Sequence, residues 1–447
     1  MPKERSRISQ EDDLIMEEVA VAGALEGIRV LEFSQIIAGP YACQNLAEMG
    51  AEVIKVEPPD GEPWRQFSQF YPGEAKFFQS LNKAKQSLAI ALQETEAQEF
   101  IHRLIPTCDV VLVNYRPDVA KRLGIDYETL SGIKPDLIYA DNTAFGRSGP
   151  WSHRPGYDIV VQAVSGMMAA EGKLGDDGEP KTISSTAIAD YGTGLALAWG
   201  ITAALFHRER TGEGQLVEST LLQTALSFQA SSIFDLPLAD SQSGVYASRE
   251  LVAEKRLENA SYMKLLEARS GGTSSLLGGI ANIYYRPYQT KDGAMAVGAL
   301  SSGLWAKVRT ALQTDFLGWA DPNLAAATPE WIEDATKQVK ELEAFVRSKT
   351  TEEWMEILDR EGVPGGPVNF PEDMLTDPQV IANDMLVELD HELTGPQTQV
   401  GPIIKMSGTP LKTAASPPLG RDNDLYARMA GFSEEEILSL REKGVIL

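Results

Sequence analysis

At 447 residues the chain is too long for one hydrophobic core, so two domains are expected. Its 43% apolar and 23% charged residues are ordinary for a folded globular protein. A formal charge of −24 repels nucleic acid and anionic membrane and sets both aside as partners.

Two cysteines, Cys43 and Cys108, cannot build a disulfide framework, and without a CxxC pair no structural zinc is expected. Residues 1–24 read as a charged, polar extension with no apolar signal core. The longest uncharged apolar stretch, Gly192 to Phe206, is shorter than the roughly 20 residues a membrane span needs, and a buried helix is expected there. These features together predict a cytoplasmic protein in a reducing compartment.

In chain order, Ile28–Phe33 reads as a strand, Tyr41–Met49 as a helix and Glu52–Val56 as a second strand. Gly39-Pro40 opens the helix and Gly50 closes it, which completes a βαβ unit with parallel strands. The rhythm repeats with a helix over Glu94–Ile105, a strand over Asp109–Asn114 and another over Asp136–Ala140. This alternation predicts a doubly wound α/β domain whose ligand sits at the open strand ends. No GxGxxG follows the first strand, so a nicotinamide-type site is unsupported.

Beyond the apolar helix, Leu216–Ser219 reads as a strand and Ser270–Ser275 as a Ser/Gly-rich mobile loop. A hairpin turning at Lys291-Asp292-Gly293 opens a second domain. The expected partition is a large domain over 25–230 completed by about 400–447, a linker with the glycine loop over 231–284, a small α+β domain over 285–380, and a return segment over 381–447.

No GxSxG, HExxH or P-loop is present, and His102, His153, His207 and His391 are scattered among charged neighbours, as surface or satisfied-core positions. Carboxylates remain. Asp190 stands in Ala187–Gly194, at the start of the apolar helix. Its plain reading is a helix N-cap. The nearby Gly192 and Gly194 add a second reading: they let a ligand approach the backbone, and free N–H groups at a helix start favour developing negative charge. A carboxylate there can act as a nucleophile beside a stabilised oxyanion.

Many ordered blocks resemble one family. Leu25–Phe33, Ala38-Gly39-Pro40, Leu46–Pro58, Asn82–Lys85, Val113–Pro117, Gly146–Pro150, Pro155–Asp158, Arg210–Gln215, Gly362–Val368 and Pro418-Leu419-Gly420 are similar to class III coenzyme A transferases, the family of formyl-CoA transferase and carnitine CoA-transferase. The resemblance spans nearly the whole chain from residue 25. It implies a Rossmann-like large domain, a smaller second domain and an interlocked homodimer, with acyl-CoA and a carboxylate as substrates. Coenzyme A would be a substrate rather than a permanently bound cofactor, and no metal is implied.

The resemblance also implies site residues. Asp190 takes the place of the catalytic aspartate, which forms an anhydride with the donor acyl group and then an aspartyl-CoA thioester. Gln35, Ile36, Ala38, Leu81, Lys83, Asn114, Tyr115 and Arg122 fall where coenzyme A is held, with Lys and Arg on phosphates and Tyr115 against the adenine. Gly271 and Gly272 fall in the family's glycine loop. Ile37 stands where formyl-CoA transferase has Gln, and Pro58 where it has Arg; both departures count against formyl-CoA and oxalate.

The related α-methylacyl-CoA racemases use a histidine where this chain has Tyr157, and a phenol titrating near 10 is a poor substitute for a near-neutral base. Transfer is therefore the expected reaction, with racemisation the alternative. Arg249, Arg256, Arg269 and Arg286 flank the glycine loop, and one of them is expected to clamp a second carboxylate. That would suit an acceptor such as malate and a donor such as succinyl-CoA.

Overall fold

The computed structural model describes residues 23–184, 186–270, 279–324 and 327–447. Gly271, Gly272, the rest of their loop, and nearly all of the polar N-terminal extension lie outside the described residues. The chain divides into two compact units. One holds residues up to Met167, Thr182–Ala230 and Asp384–Leu447; the other holds Met168–Lys181 and Ser231–Asn383.

The first unit is built on six parallel strands: β1 (Arg29–Phe33), β2 (Glu52–Glu57), β3 (Gln86–Ala89), β4 (Val110–Val113), β5 (Ile138–Thr143) and β6 (Gln215–Thr220). Their order across the sheet is β3-β2-β1-β4-β5-β6. Successive side chains along a strand face opposite ways, so each strand feeds two cores. Leu31, Phe33, Ile54 and Val56 pack on one face under α2 (Thr95–Leu104) and the C-terminal helices. Val30, Val53, Val110 and Leu112 pack on the other under α1 (Ala38–Glu48) and the 24-residue helix α4 (Ile188–Thr211). Helices on both faces explain why β4, Val110–Val113 at the centre of the sheet, is wholly apolar.

The end of the chain covers the sheet's β3 edge. Asp422 and Asn423 accept the amide hydrogens of Ser87 and Ala89, each at 2.8 Å, and Ile446 pairs with Ile90. An open row of amides is thereby closed off.

One expectation is corrected here. The apolar stretch Gly192–Phe206 lies in α4 but is buried on one side only, and Trp199 is 77% exposed. Leu195, Trp199 and Phe206 form an exposed stripe at helical spacing, with only the Arg210 guanidinium over the Phe206 ring among the described cation–ring contacts.

The second unit has its own core. The antiparallel strands β7 (Tyr285–Gln289), β8 (Ala294–Gly298) and β9 (Gly365–Pro367) pack with helices Ser302–Leu312, Pro329–Val346 and Thr351–Glu361 around the fully buried Trp354. The segment expected to be a linker is helical at Val245–Leu257 and Tyr262–Arg269 and belongs to this unit. Helix Val245–Leu257 buries none of its residues within the chain, so its helical pattern reads weakly in sequence.

Candidate active site

All six strands point their C-terminal ends toward one cavity of about 500 Å³ in the first unit. It is lined by Gln35–Ile37 after β1, Pro58 after β2, and Ile90, Leu92 and Gln93 after β3. Asn114–Pro117 follow β4, Asn142–Phe145 end β5, and Leu221 follows β6. Segment Ser152–Tyr157 and Asp190 complete the wall. Strand order reverses between β1 and β4, and that switch point is where open α/β sheets take ligands.

Asp190 is the sole acidic residue among those lining the cavity. It is neither ahead of α4 nor its N-cap. Ala187 is the cap, and Asp190 lies inside the first turn. The amides expected to be free are also taken: one carboxylate oxygen of Asp158 accepts N–H groups from Ala189 at 2.7 Å and Asp190 at 3.4 Å. Asp158 opens helix α3 (Asp158–Val164) and is steadied by the Gln162 side-chain amide. The acid that caps α4 therefore comes from 31 residues upstream, and nothing in the sequence signalled that pairing.

The glycines have a different purpose from the one their spacing suggested. A Cβ on Gly192 would meet the Phe228 ring at 2.4 Å, and one on Gly194 would meet the Ala38 carbonyl oxygen at 2.8 Å. What approaches the helix backbone is this chain's own packing, which draws α4 against α1.

No described hydrogen bond reaches the Asp190 carboxylate, and burial with the nearby Asp158 charge pushes its pKa up to about 7. A base that must be ionised to attack thus gains activity as pH rises through about 7. We expect kcat/KM to climb through that range and level off above it. Asp158→Asn keeps a carbonyl acceptor for the two amides but removes the charge, so it should move the midpoint of that profile to lower pH. An unchanged midpoint would show that Asp158 acts through its hydrogen bonds alone.

The floor beside β1 is held from below. Asn114 grips Gln35 at both ends, accepting its N–H at 3.1 Å and donating to its carbonyl at 2.9 Å. Ile36 sits at φ +73°, a left-handed conformation that costs a β-branched residue of order 1–3 kcal/mol. Its N–H donates to Glu62 at 2.7 Å.

Behind Glu62 lies a buried charge network. Lys55 Nζ is 3.0 Å from Glu62 and 3.1 Å from Glu32, and Lys85 Nζ is 2.8 Å from Glu32. Burial alone would raise the Glu32 carboxyl; Lys55 and Lys85 outweigh it and hold the pKa at about 2.

The predicted coenzyme A residues divide. Gln35, Ile36, Asn114 and Tyr115 line the Asp190 cavity, as does Tyr157, the residue before α3. Asn114 has both ends of its amide committed to Gln35, so it shapes the wall and is not free for a ligand. Ala38 starts α1, buried just behind the wall.

Leu81 and Lys83 line a separate cavity, between α1 and the strand Gly395–Val400, and Lys83 Nζ is spent on Glu48 at 2.9 Å. That is a correction: a lysine expected to meet a phosphate is buried in an ion pair. Arg122 is exposed at the end of helix Pro117–Arg122 and is not among the lining residues. In the second unit Arg249 pairs with Asp235, Arg286 pairs with Glu343, and Arg269 donates to the Ala169 carbonyl. Sequence reasoning also passed over Asn142, Arg154 and Glu62, none of which belongs to a local motif.

Residues 25–423 match the family described as CoA-transferase family III. The chain belongs to this family. It is 32% identical over 426 residues to a mouse (Mus musculus) protein named succinyl-CoA:glutarate CoA-transferase, covering 94% of this chain and 90% of that one. A protein of Agrobacterium fabrum named succinate–glutarate CoA-transferase is 32% identical over 412 residues, covering 89% and 93%. Among solved structures, a CAIB/BAIF family protein from Brucella suis superposes with a TM-score of 0.68 at 26% identity, covering 92% of this chain and all of that one.

Family III membership makes this chain a CoA-transferase with an acyl-CoA thioester as substrate. Among the described residues no helix is long and apolar enough to cross a membrane.

Proposed function

We propose that this enzyme moves CoA from a dicarboxylic acyl-CoA such as succinyl-CoA to a free dicarboxylic acid, with Asp190 as nucleophile. The observation that carries the reading is Asp190 itself, a buried carboxylate facing the strand-end cavity with no hydrogen bond among the described residues to lower its reactivity. Relatives named for succinyl-CoA and glutarate support the substrate class.

The carboxylate attacks the thioester carbonyl, the C–S bond breaks, and an acyl-aspartyl anhydride forms as CoA leaves as thiolate. The thiolate then attacks the aspartyl carbonyl, releasing the donor acid and leaving an aspartyl-CoA thioester. The acceptor carboxylate attacks that carbonyl and displaces the thiolate, which takes the acceptor acyl group and restores Asp190. Each step exchanges one acyl bond for another, so no external energy source is required. Water must be kept out, because either anhydride would hydrolyse.

We also infer that the working form is an interlocked homodimer. The exposed stripe Leu195, Trp199 and Phe206 supports this, as does a helix, Val245–Leu257, none of whose residues is fully buried within its own chain.

Two measurements test these readings. Purified enzyme given succinyl-CoA and a pool of mono- and dicarboxylates should yield new dicarboxyl-CoA masses; no new thioester from any donor would overturn transfer. Light scattering should give about twice the 48.7 kDa chain mass, and a monomer would end the dimer reading.

A further inference from the structure

We propose that Asn142 and Arg154 form the subsite that holds the far carboxylate of the dicarboxylic substrate in the Asp190 cavity. This rests on the CoA-transfer reading and adds the residues that select the substrate class.

Asn142 is the penultimate residue of β5 and is 5% exposed, yet its side-chain oxygen meets no hydrogen-bond partner among the described residues. A polar atom buried without a partner is costly, so such groups persist where something else completes them. Its neighbours are engaged: Asp141 pairs with Arg147, and Thr143 Oγ1 accepts the Gly146 N–H. Of these three β5 residues only Asn142 keeps a side-chain atom, Oδ1, without a partner among the described residues, and Asn142 lines the cavity. No neighbour fixes which end of the amide points inward, so its NH2 group is available to a carboxylate.

Arg154 supplies the charge. Two arginines line the cavity, and Arg116 is turned to Asp118 at 3.2 Å. Arg154 has no carboxylate within ion-pair distance among the described residues, although the chain carries 64 acidic side chains. Its guanidinium lies 4.5 Å from the Trp151 ring, and Trp151 packs edge-on to Phe145 at 5.1 Å. Gly156 seats this segment against Ala144 and Phe145, where a Cβ would clash at 2.6 Å and 2.9 Å. The loop bearing Arg154 is therefore packed on the residues that follow Asn142. A planar cation and an amide donor on the same wall match the two oxygens of a carboxylate.

The test uses Arg154→Met and Asn142→Ser in the full chain. With saturating succinyl-CoA, kcat/KM is compared for glutarate and for valerate, which has the same chain length and one carboxylate fewer. Each variant should lose about 10- to 100-fold on glutarate, the range for a charge-assisted contact, and under about 3-fold on valerate. CoA affinity, measured by calorimetry, should not change.

Equal losses on both acceptors, or weaker CoA binding, would overturn the proposal and place these residues on the coenzyme. Unchanged kinetics would overturn it as well. Should the wild type transfer no CoA at all, the functional reading falls, and glutarate binding by calorimetry decides the subsite. Binding lost in Arg154→Met would uphold it, and no binding to the wild type would end it. Arg154 is exposed, so its variant is informative even where Asn142→Ser folds poorly.

Discussion

Asp190→Asn should abolish CoA transfer while making the protein more stable at neutral and alkaline pH. The loss follows from chemistry: an amide cannot form the anhydride, and a nucleophile's removal typically costs a factor of about 10⁴ or more. The gain follows from linkage. Folding raises the Asp190 pKa to about 7, well above the value near 3.9 in an unfolded chain.

Between those values the folded protein holds a proton that the unfolded chain has lost, so stability falls as pH rises from about 4 to 7 and is flat above. Asparagine has no such proton. The variant should match wild type near pH 4 and exceed it at pH 8, by up to about 4 kcal/mol if the whole shift is realised. Thermal unfolding at the two pH values checks this, alongside the transfer assay. Residual transfer above one part in a thousand would remove Asp190 as nucleophile. Equal stability at both pH values would show that its carboxyl titrates normally.

Lys55→Met should cause the largest loss of stability outside the hydrophobic cores. Lys55 is fully buried, and its ammonium bonds Glu32, Glu62 and the Ser34 carbonyl oxygen. Methionine fits the stem but leaves two buried carboxylates, of which only Glu32 retains a cation, Lys85. Breaking a buried pair in this way costs about 3–5 kcal/mol.

The damage should also reach the active site. Glu62 holds the Ile36 N–H, and a strained left-handed isoleucine persists only while its surroundings enforce it. Transfer should therefore weaken together with stability. The double variant Lys55→Met/Glu62→Gln removes the stranded charge and should recover part of the stability but not the activity. A Lys55→Met protein within 1 kcal/mol of wild type in denaturant unfolding would show that the network is structurally silent.

These two residues differ in how far they could be read beforehand. Asp190 was legible because its neighbours in sequence resemble a family's catalytic block. Lys55 sits in a strand pattern, Glu52–Glu57, where an alternating charge reads as solvent-facing; in the folded sheet it is directly across from Glu32 on β1. Lys83, expected on a phosphate, and Lys85 are buried in the same way, since a lysine's burial depends on an acid brought in from elsewhere. Glu48 supplies it for one and Glu32 for the other.

By itself, the sequence determined the βαβ rhythm of the first unit, the positions of five of its six strands to within three residues (β3 went unread), the family and the identity of the candidate nucleophile. The rhythm is written in periodicities and turn residues that act over a few positions, whereas the family and the nucleophile rest on the resemblance of ordered sequence blocks. Only the tertiary structure decided that Asp158 caps α4, that Gly192 and Gly194 serve helix packing, and that Asn142 and Arg154 share a wall with Asp190. Each of these joins residues separated by a crossover or a loop, and whether a polar group finds a partner depends on which strand ends the topology brings together.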